Sequence, residues 1–152
     1  MDKNFIANKA LERFKKIDDE IALVVTIHLC TEYWLNRILE EKLNKRKKGI
    51  NELNFKKKLD LINKQCIIPG FLYDNIRKLN ELRNTFAHEL FFNLENADWD
   101  YFTPDDLFDG QKMRLEDQES DKLRLLLIGV LTFVWLNNHC INVLGMSPDY
   151  KL

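Results

Sequence analysis

Residues 21–35 read Ile-Ala-Leu-Val-Val-Thr-Ile-His-Leu-Cys-Thr-Glu-Tyr-Trp-Leu, apolar on nearly every side. A helix of that kind is a central helix with neighbours on several sides. Asp18 or Asp19 is placed to cap its start. It turns charged after Leu39 and should fray across residues 44–49, where Lys45, Arg46, Lys47 and Lys48 repel one another. The remaining chain supplies the helices to cover it. Residues 2–16 predict an amphipathic helix with Phe5, Ile6, Ala10, Leu11 and Phe14 inward. Residues 53–67 predict a short one, with Phe55, Leu59 and Ile62 inward and Lys56, Lys57 and Lys58 largely outward. Pro69-Gly70 is a turn signal, and a further helix follows over residues 71–89. Residues 119–144 close the chain as a long helix whose inner face is Leu123, Leu126, Leu127, Val130, Val134 and Ile141. Gly129 permits a close helix approach there, and Gly145 and Pro148 stop the helix. The expectation is one all-α domain over residues 1–152, a bundle of about five principal helices.

A chain of 152 residues can bury a core without disulfides or metal, and five Gly and three Pro suit long helices with short connections. The net charge of −1 shows no overall drive toward nucleic acid or membrane. Its distribution says more. Residues 42–64 hold nine Lys or Arg against two acids, a local +7. Residues 95–121 hold ten acids against two bases, a local −8. These are either solvated surfaces of opposite sign or, for the basic run, a patch for a phosphate backbone. Residues 91–118 form the irregular part, mixing acids with aromatics that argue for packing on the bundle. Within it, Thr103-Pro104-Asp105-Asp106 predicts a capped short helix, Asp109-Gly110 a turn, and the surroundings of Gly110 admit two short strands.

Cys30, Cys66 and Cys140 are odd in number and far apart, as expected of reduced, mostly buried thiols. The start of the chain lacks the pattern of a signal peptide. The longest nearly apolar run, residues 125–136, is 12 residues, too short to span a bilayer. A cytoplasmic protein with no membrane contact is expected. The three His and three Cys have no ligand spacing for zinc, and no Gly-rich phosphate loop is present, so neither metal nor cofactor is expected.

Three polar groups break the apolar patterns. Leu72, Ile76, Leu79, Phe86 and Leu90 make one stripe of the helix over residues 71–89, and Arg83 falls inside it. A guanidinium cannot lose its proton, so its burial requires a partner. Asn80, Asn84 and His88 line one polar edge of the same helix. On the central helix, His28 and Glu32 sit four apart beside its stripe. They either pair with each other, or Glu32 meets Arg83 across the helix interface.

Arg83-Asn84-Thr85-Phe86-Ala87-His88 resembles the signature of the HEPN superfamily: Arg, a polar residue, a short spacer, then His. Its Arg-Asn-x-Phe-Ala-His form is similar to that of the bacterial branch related to the mannitol operon repressor. The resemblance implies a small helical bundle that pairs as a homodimer and, in many members, cleaves RNA without metal. It implies a site of Arg83, His88 and Asn84, with an acidic residue such as Glu32 on an earlier helix. His28 and Asn80 would support that site, and Lys45, Arg46, Lys47, Lys48, Lys56 and Lys57 would bind RNA.

The residue types suit that chemistry. An imidazole such as that of His88 can take or give a proton near neutral pH. A guanidinium such as that of Arg83 can bond two phosphate oxygens. Yet Arg83 and His88 are five apart, about 140° around an ideal helix. Either the helix bends or ends near Ala87, or two copies of the motif meet across a two-fold. Two functions follow: an endoribonuclease of the toxin or phage-defence kind, or a non-catalytic regulatory or adaptor domain holding a protein partner such as an antitoxin or effector.

Overall fold

The computed structural model describes residues 4–99, 102 and 118–148. Among them the chain is helical and forms no strand. The elements are α1 (Phe5–Lys15), α2 (Glu20–Glu41), α3 (Lys47–Asn51), α4 (Phe55–Lys64), α5 (Gly70–His88) and α6 (Asp121–Asn138). A short 3-10 turn covers Leu94–Asn96, and α6 runs on into a π turn, His139–Val143. The fold is therefore the expected all-α bundle. The short helix at Thr103 and the strands around Gly110 lie outside the described residues.

Asp19 starts α2, its carboxylate accepting from the Ala22 N–H at 2.7 Å. Leu23, Ile27, Trp34, Leu35, Ile38 and Leu39 are buried, and α1, α4, α5 and α6 all pack on this helix. The all-round apolarity still leaves one side open: Ile21, Val25 and Leu29, spaced by four, form an exposed stripe.

Phe14 of α1 meets Phe133 of α6 edge-on at 6.1 Å; Leu11, expected inward, is only half-buried. The basic run was expected to fray. After Asn44, whose φ is 51°, it instead makes α3, because Ile50 anchors that turn in the core. Asn54 caps α4 by accepting from the Lys57 N–H at 2.9 Å, and α4 stops before Cys66, whose φ is 52°. Cys66 is exposed and Cys30 half-buried, leaving Cys140 as the buried thiol. Burial pushes the Cys140 thiol up to about 12.

Helix α6 presents a different face from the expected one. Leu125, Ile128, Thr132, Phe133 and Leu136 are buried, while Leu123 is exposed and Leu126, Leu127, Val130 and Val134 are half-buried. The helix is apolar all round, so its pattern does not fix its rotation. The contact that does is Gly129: a Cβ there would collide with the Ile27 side chain. With the π turn this helix spans Asp121–Val143, long and apolar enough to cross a membrane by length and composition, unlike the 12-residue run. In the bundle it packs against α1, α2 and α5. Gly145, with φ of 66°, ends it. Trp99 docks the irregular segment, donating its Nε1–H to Asp121 at 3.0 Å, with Phe102 buried beside it.

Pairings along the helices set their directions. Phe55 and Lys58 meet His28 and Glu32 in the same order, so α4 runs parallel to α2. Tyr73 bonds Asp60 while Asn80 shares a cavity with Phe55, so α5 runs antiparallel to α4. The start of α4, the first half of α2 and the last third of α5 therefore converge at one end.

Candidate functional site

The convergence builds a polar cluster inside an apolar frame. His28 stacks on Phe55 with ring centroids 4.2 Å apart and planes 29° apart. Glu32 lies one turn further along α2. Its carboxylate accepts from Lys58 Nζ at 2.6 Å and stands 3.9 Å from His28 Nε2. Arg83 is therefore not the counter-charge of Glu32; Lys58 is. Lys58 was expected to point outward, yet only 4% of it is exposed. The spacing carried the signal, since Phe55, Lys58 and Ile62 fall on one side of α4 at intervals of three and four.

The imidazole of His28 is held below its ordinary range. Burial is the main cause; the Arg83 and Lys58 cations add to it, and Glu32 opposes them. His28 is thus a neutral ring near neutral pH, close enough to Arg83 to feel its charge. Its Nδ1 is buried with no hydrogen-bond partner among the described residues. Beside it His28, Thr31, Phe55, Leu79 and Asn80 line a cavity of about 10 Å³, the size of a single water.

Arg83 is half-buried and its Nη1 donates to Asn84 Oδ1 at 3.1 Å. No carboxylate lies within 4 Å of it among the described residues. The stripe that seemed to demand a counter-charge leaves the core near here: Leu79 and Leu82 are buried, Phe86 is half-buried, and Leu90 is 88% exposed. Arg83 sits at the transition, where water screens it. Past it α5 continues regularly to His88, with the Glu89 N–H still bonded to the Thr85 carbonyl at 2.9 Å. The helix does not bend between the two, so Arg83 and His88 stay about 140° apart around the axis and about 7.5 Å apart along it on one copy. The His88 side chain is exposed and makes no hydrogen bond among the described residues. Phe91, just beyond, is 89% exposed.

The structure thus brings together His28, Glu32, Asn80 and Arg83 with Asn84, adds Lys58, and leaves His88 outside the cluster at the helix tip. Of the basic run, Lys56 and Lys57 are exposed on the first turn of α4 next to Phe55, and Arg46, Lys47 and Lys48 are exposed around α3, with Lys45 half-buried. None of the six has a carboxylate within 4 Å among the described residues. No three His, Cys, Asp or Glu side chains group as metal ligands among the described residues. The cluster offers one cation without a carboxylate among the described residues, Arg83, beside the Asn84 amide, with the exposed His88 imidazole about one to two turns further along α5. No protein-family model matches the chain, and no curated protein or solved structure matches it either.

Proposed function

We propose that the chain is a HEPN-like, metal-independent endoribonuclease of the toxin or phage-defence kind, acting in the cytoplasm as a homodimer. The observation that carries this reading is the outer end of α5, where Arg83 and His88 both stand without a carboxylate partner among the described residues. Arg83 holds a phosphate by two oxygens. Asn84 spends its carbonyl oxygen on Arg83, which leaves its NH2 to donate to the same phosphate. An imidazole at the His88 position takes the proton of a 2′-hydroxyl. The 2′-oxygen attacks the adjacent phosphorus, the bond to the 5′-oxygen breaks, and that oxygen leaves with a proton from a second imidazole. The products are a 2′,3′-cyclic phosphate and a 5′-hydroxyl. The two imidazoles are the His88 side chains of the two copies, and the Arg–His separation on a regular helix requires at least one of them to reach a given Arg83 from the facing copy. Exposed Leu90 and Phe91 beside His88 are the apolar surface such a copy would cover. Lys56 and Lys57 extend the phosphate track.

The test is incubation of wild-type and His88→Ala proteins with structured and single-stranded RNAs, with and without EDTA. Cleavage with cyclic-phosphate ends, insensitive to EDTA and lost in the variant, is the expected result. Equal cleavage by both proteins, or none by either across these RNAs, overturns the proposal.

A further inference from the structure

A groove of about 640 Å³ runs between α1 and α2, on the side of α2 away from the polar cluster. Its lining is mostly apolar, with Phe5, Leu29 and Tyr33 along it and Cys30 among its lining residues. Burial holds the Cys30 thiol above its ordinary range, so it serves here as an apolar surface. The exposed stripe Ile21–Val25–Leu29 continues the apolar surface along α2 for eight residues, about 12 Å. Leu29 is 57% exposed, a large share for a leucine on the central helix. The other edge is charged. Lys9 and Arg13, one turn apart on α1, line the groove, and neither has a carboxylate within 4 Å among the described residues. The surface is thus an apolar strip about two turns long with two unneutralised cations along one side.

We infer that this groove is a docking site for an acidic amphipathic helix of another protein. An amphipathic helix lays its apolar face into such a strip through residues spaced i, i+3, i+4 and i+7. Acidic residues flanking that face would meet Lys9 and Arg13, supplying both the counter-charge and the direction of docking. A second copy of this chain does not fit as well. In an antiparallel isologous pairing of the α2 stripes the α1 edges of both copies fall on the same side, so Lys9 and Arg13 would face their own like charges; in a parallel pairing they would meet no acidic partner from the α2 stripe. The inference does not depend on the chemistry at α5, since the groove is lined from α2 by Thr26, Leu29, Cys30 and Tyr33, on the flank facing α1, although the far end of the stripe at Ile21 and Val25 borders His28 and Glu32.

Two synthetic 18-residue helices test it, both with a leucine stripe, one flanked by Glu and one by Lys. Binding to the full chain is followed by fluorescence anisotropy at ~0.1 M salt, where exposed charges still interact over about 10 Å. The Glu-flanked helix should bind at least tenfold more tightly than the Lys-flanked one. The double variant Lys9→Glu, Arg13→Glu should reverse that preference, and Leu29→Asp should weaken both helices at least tenfold. Circular dichroism of the variants, all at exposed or groove-edge positions, should stay unchanged. Equal binding of the two helices, a preference unmoved by the charge reversal, or no binding of the Glu-flanked helix up to millimolar concentration overturns the inference. So does a wild-type dimer that Leu29→Asp dissociates and the helix displaces, which would give the groove to a second copy.

Discussion

The charges on the two sides of the polar cluster are treated differently. On the inner side, Glu32, Lys58 and His28 answer one another: carboxylate to ammonium at 2.6 Å, imidazole stacked on Phe55 and kept neutral. On the outer side, among the described residues, the Arg83 side chain has only a neutral amide and the His88 side chain has no partner. Removing charges from water is tolerated where partners replace the lost solvation. Charges left unanswered at a surface are free to meet a ligand. A residue on the inner side is therefore expected to act mainly on stability, one on the outer side mainly on activity.

Four measurements can break or sharpen that contrast. The largest effect is expected at the tip: His88→Ala should lower RNA cleavage by roughly 10²–10⁴-fold while leaving the thermal unfolding midpoint unmoved. A fall in both would return His88 to the structural side. Next comes Glu32→Gln, which strands the buried Lys58 ammonium. The cost should be about 2–3 kcal/mol in urea unfolding, below the roughly 3–5 of a fully buried pair, because the Glu32 side chain keeps a quarter of its surface in water. A double-mutant cycle with Lys58→Met should show strong coupling, and the same cycle with Arg83→Met little. Coupling of the opposite pattern would restore Arg83 as the partner. Arg83→Met alone should cost less than about 1 kcal/mol, as expected of a group that water already screens; a larger loss would mean its charge is structural.

The smallest effect is that of pH. His28 has a lowered pKa in the folded state, set chiefly by burial, with Arg83 and Lys58 adding and Glu32 opposing. The unfolded chain then binds the extra proton, so the neutral ring contributes stability that is complete above the ordinary value of 6.5 and lost as pH falls below it. Between pH 7.5 and 5.5 the wild-type midpoint should drop more than that of His28→Leu. Parallel curves would show that the ring is not held neutral by the fold.

Much of this was legible in the residues, for reasons that also mark where legibility stops. The apolarity of α2, the Asp19 cap and the close approach at Gly129 are local signals, and each appears in the fold; Pro69-Gly70, read as a turn, instead opens α5, with Pro69 at its cap and Gly70 in its first turn. The rotation of α6 was not legible, because a helix apolar on all sides has no pattern to orient it and only its neighbours choose Leu125 and Ile128 over Leu126 and Val130. Lys58 shows a subtler limit. Reading Lys56, Lys57 and Lys58 as one outward run hid the member whose spacing from Phe55 and Ile62 turned it inward. Arg83 was rightly placed on the stripe, but where that stripe leaves the core depends on α4 beginning at Phe55, which no pattern within α5 records. That Glu32 needs a partner could be foreseen; which cation supplies it depended on the parallel course of α2 and α4.

The start of α4 has one more consequence. Opposite Phe55 stands Asn80, so the last eight residues of α5 run about 12 Å beyond the helix that flanks them upstream. The final carbonyls there have no intrahelical donors, and the Glu89 carboxylate adds negative charge at the negative end of the helix dipole. Such a turn opens locally while the segment packed around Ile76 opens only with the whole bundle. Backbone amides near the tip should therefore exchange with deuterium far faster than those near Ile76. A ligand or a facing copy that fixes His88 must first restrain residues that are free to fray, at about 1–2 kcal/mol each. Slowed exchange confined to this turn would be the most direct physical trace that something has bound there.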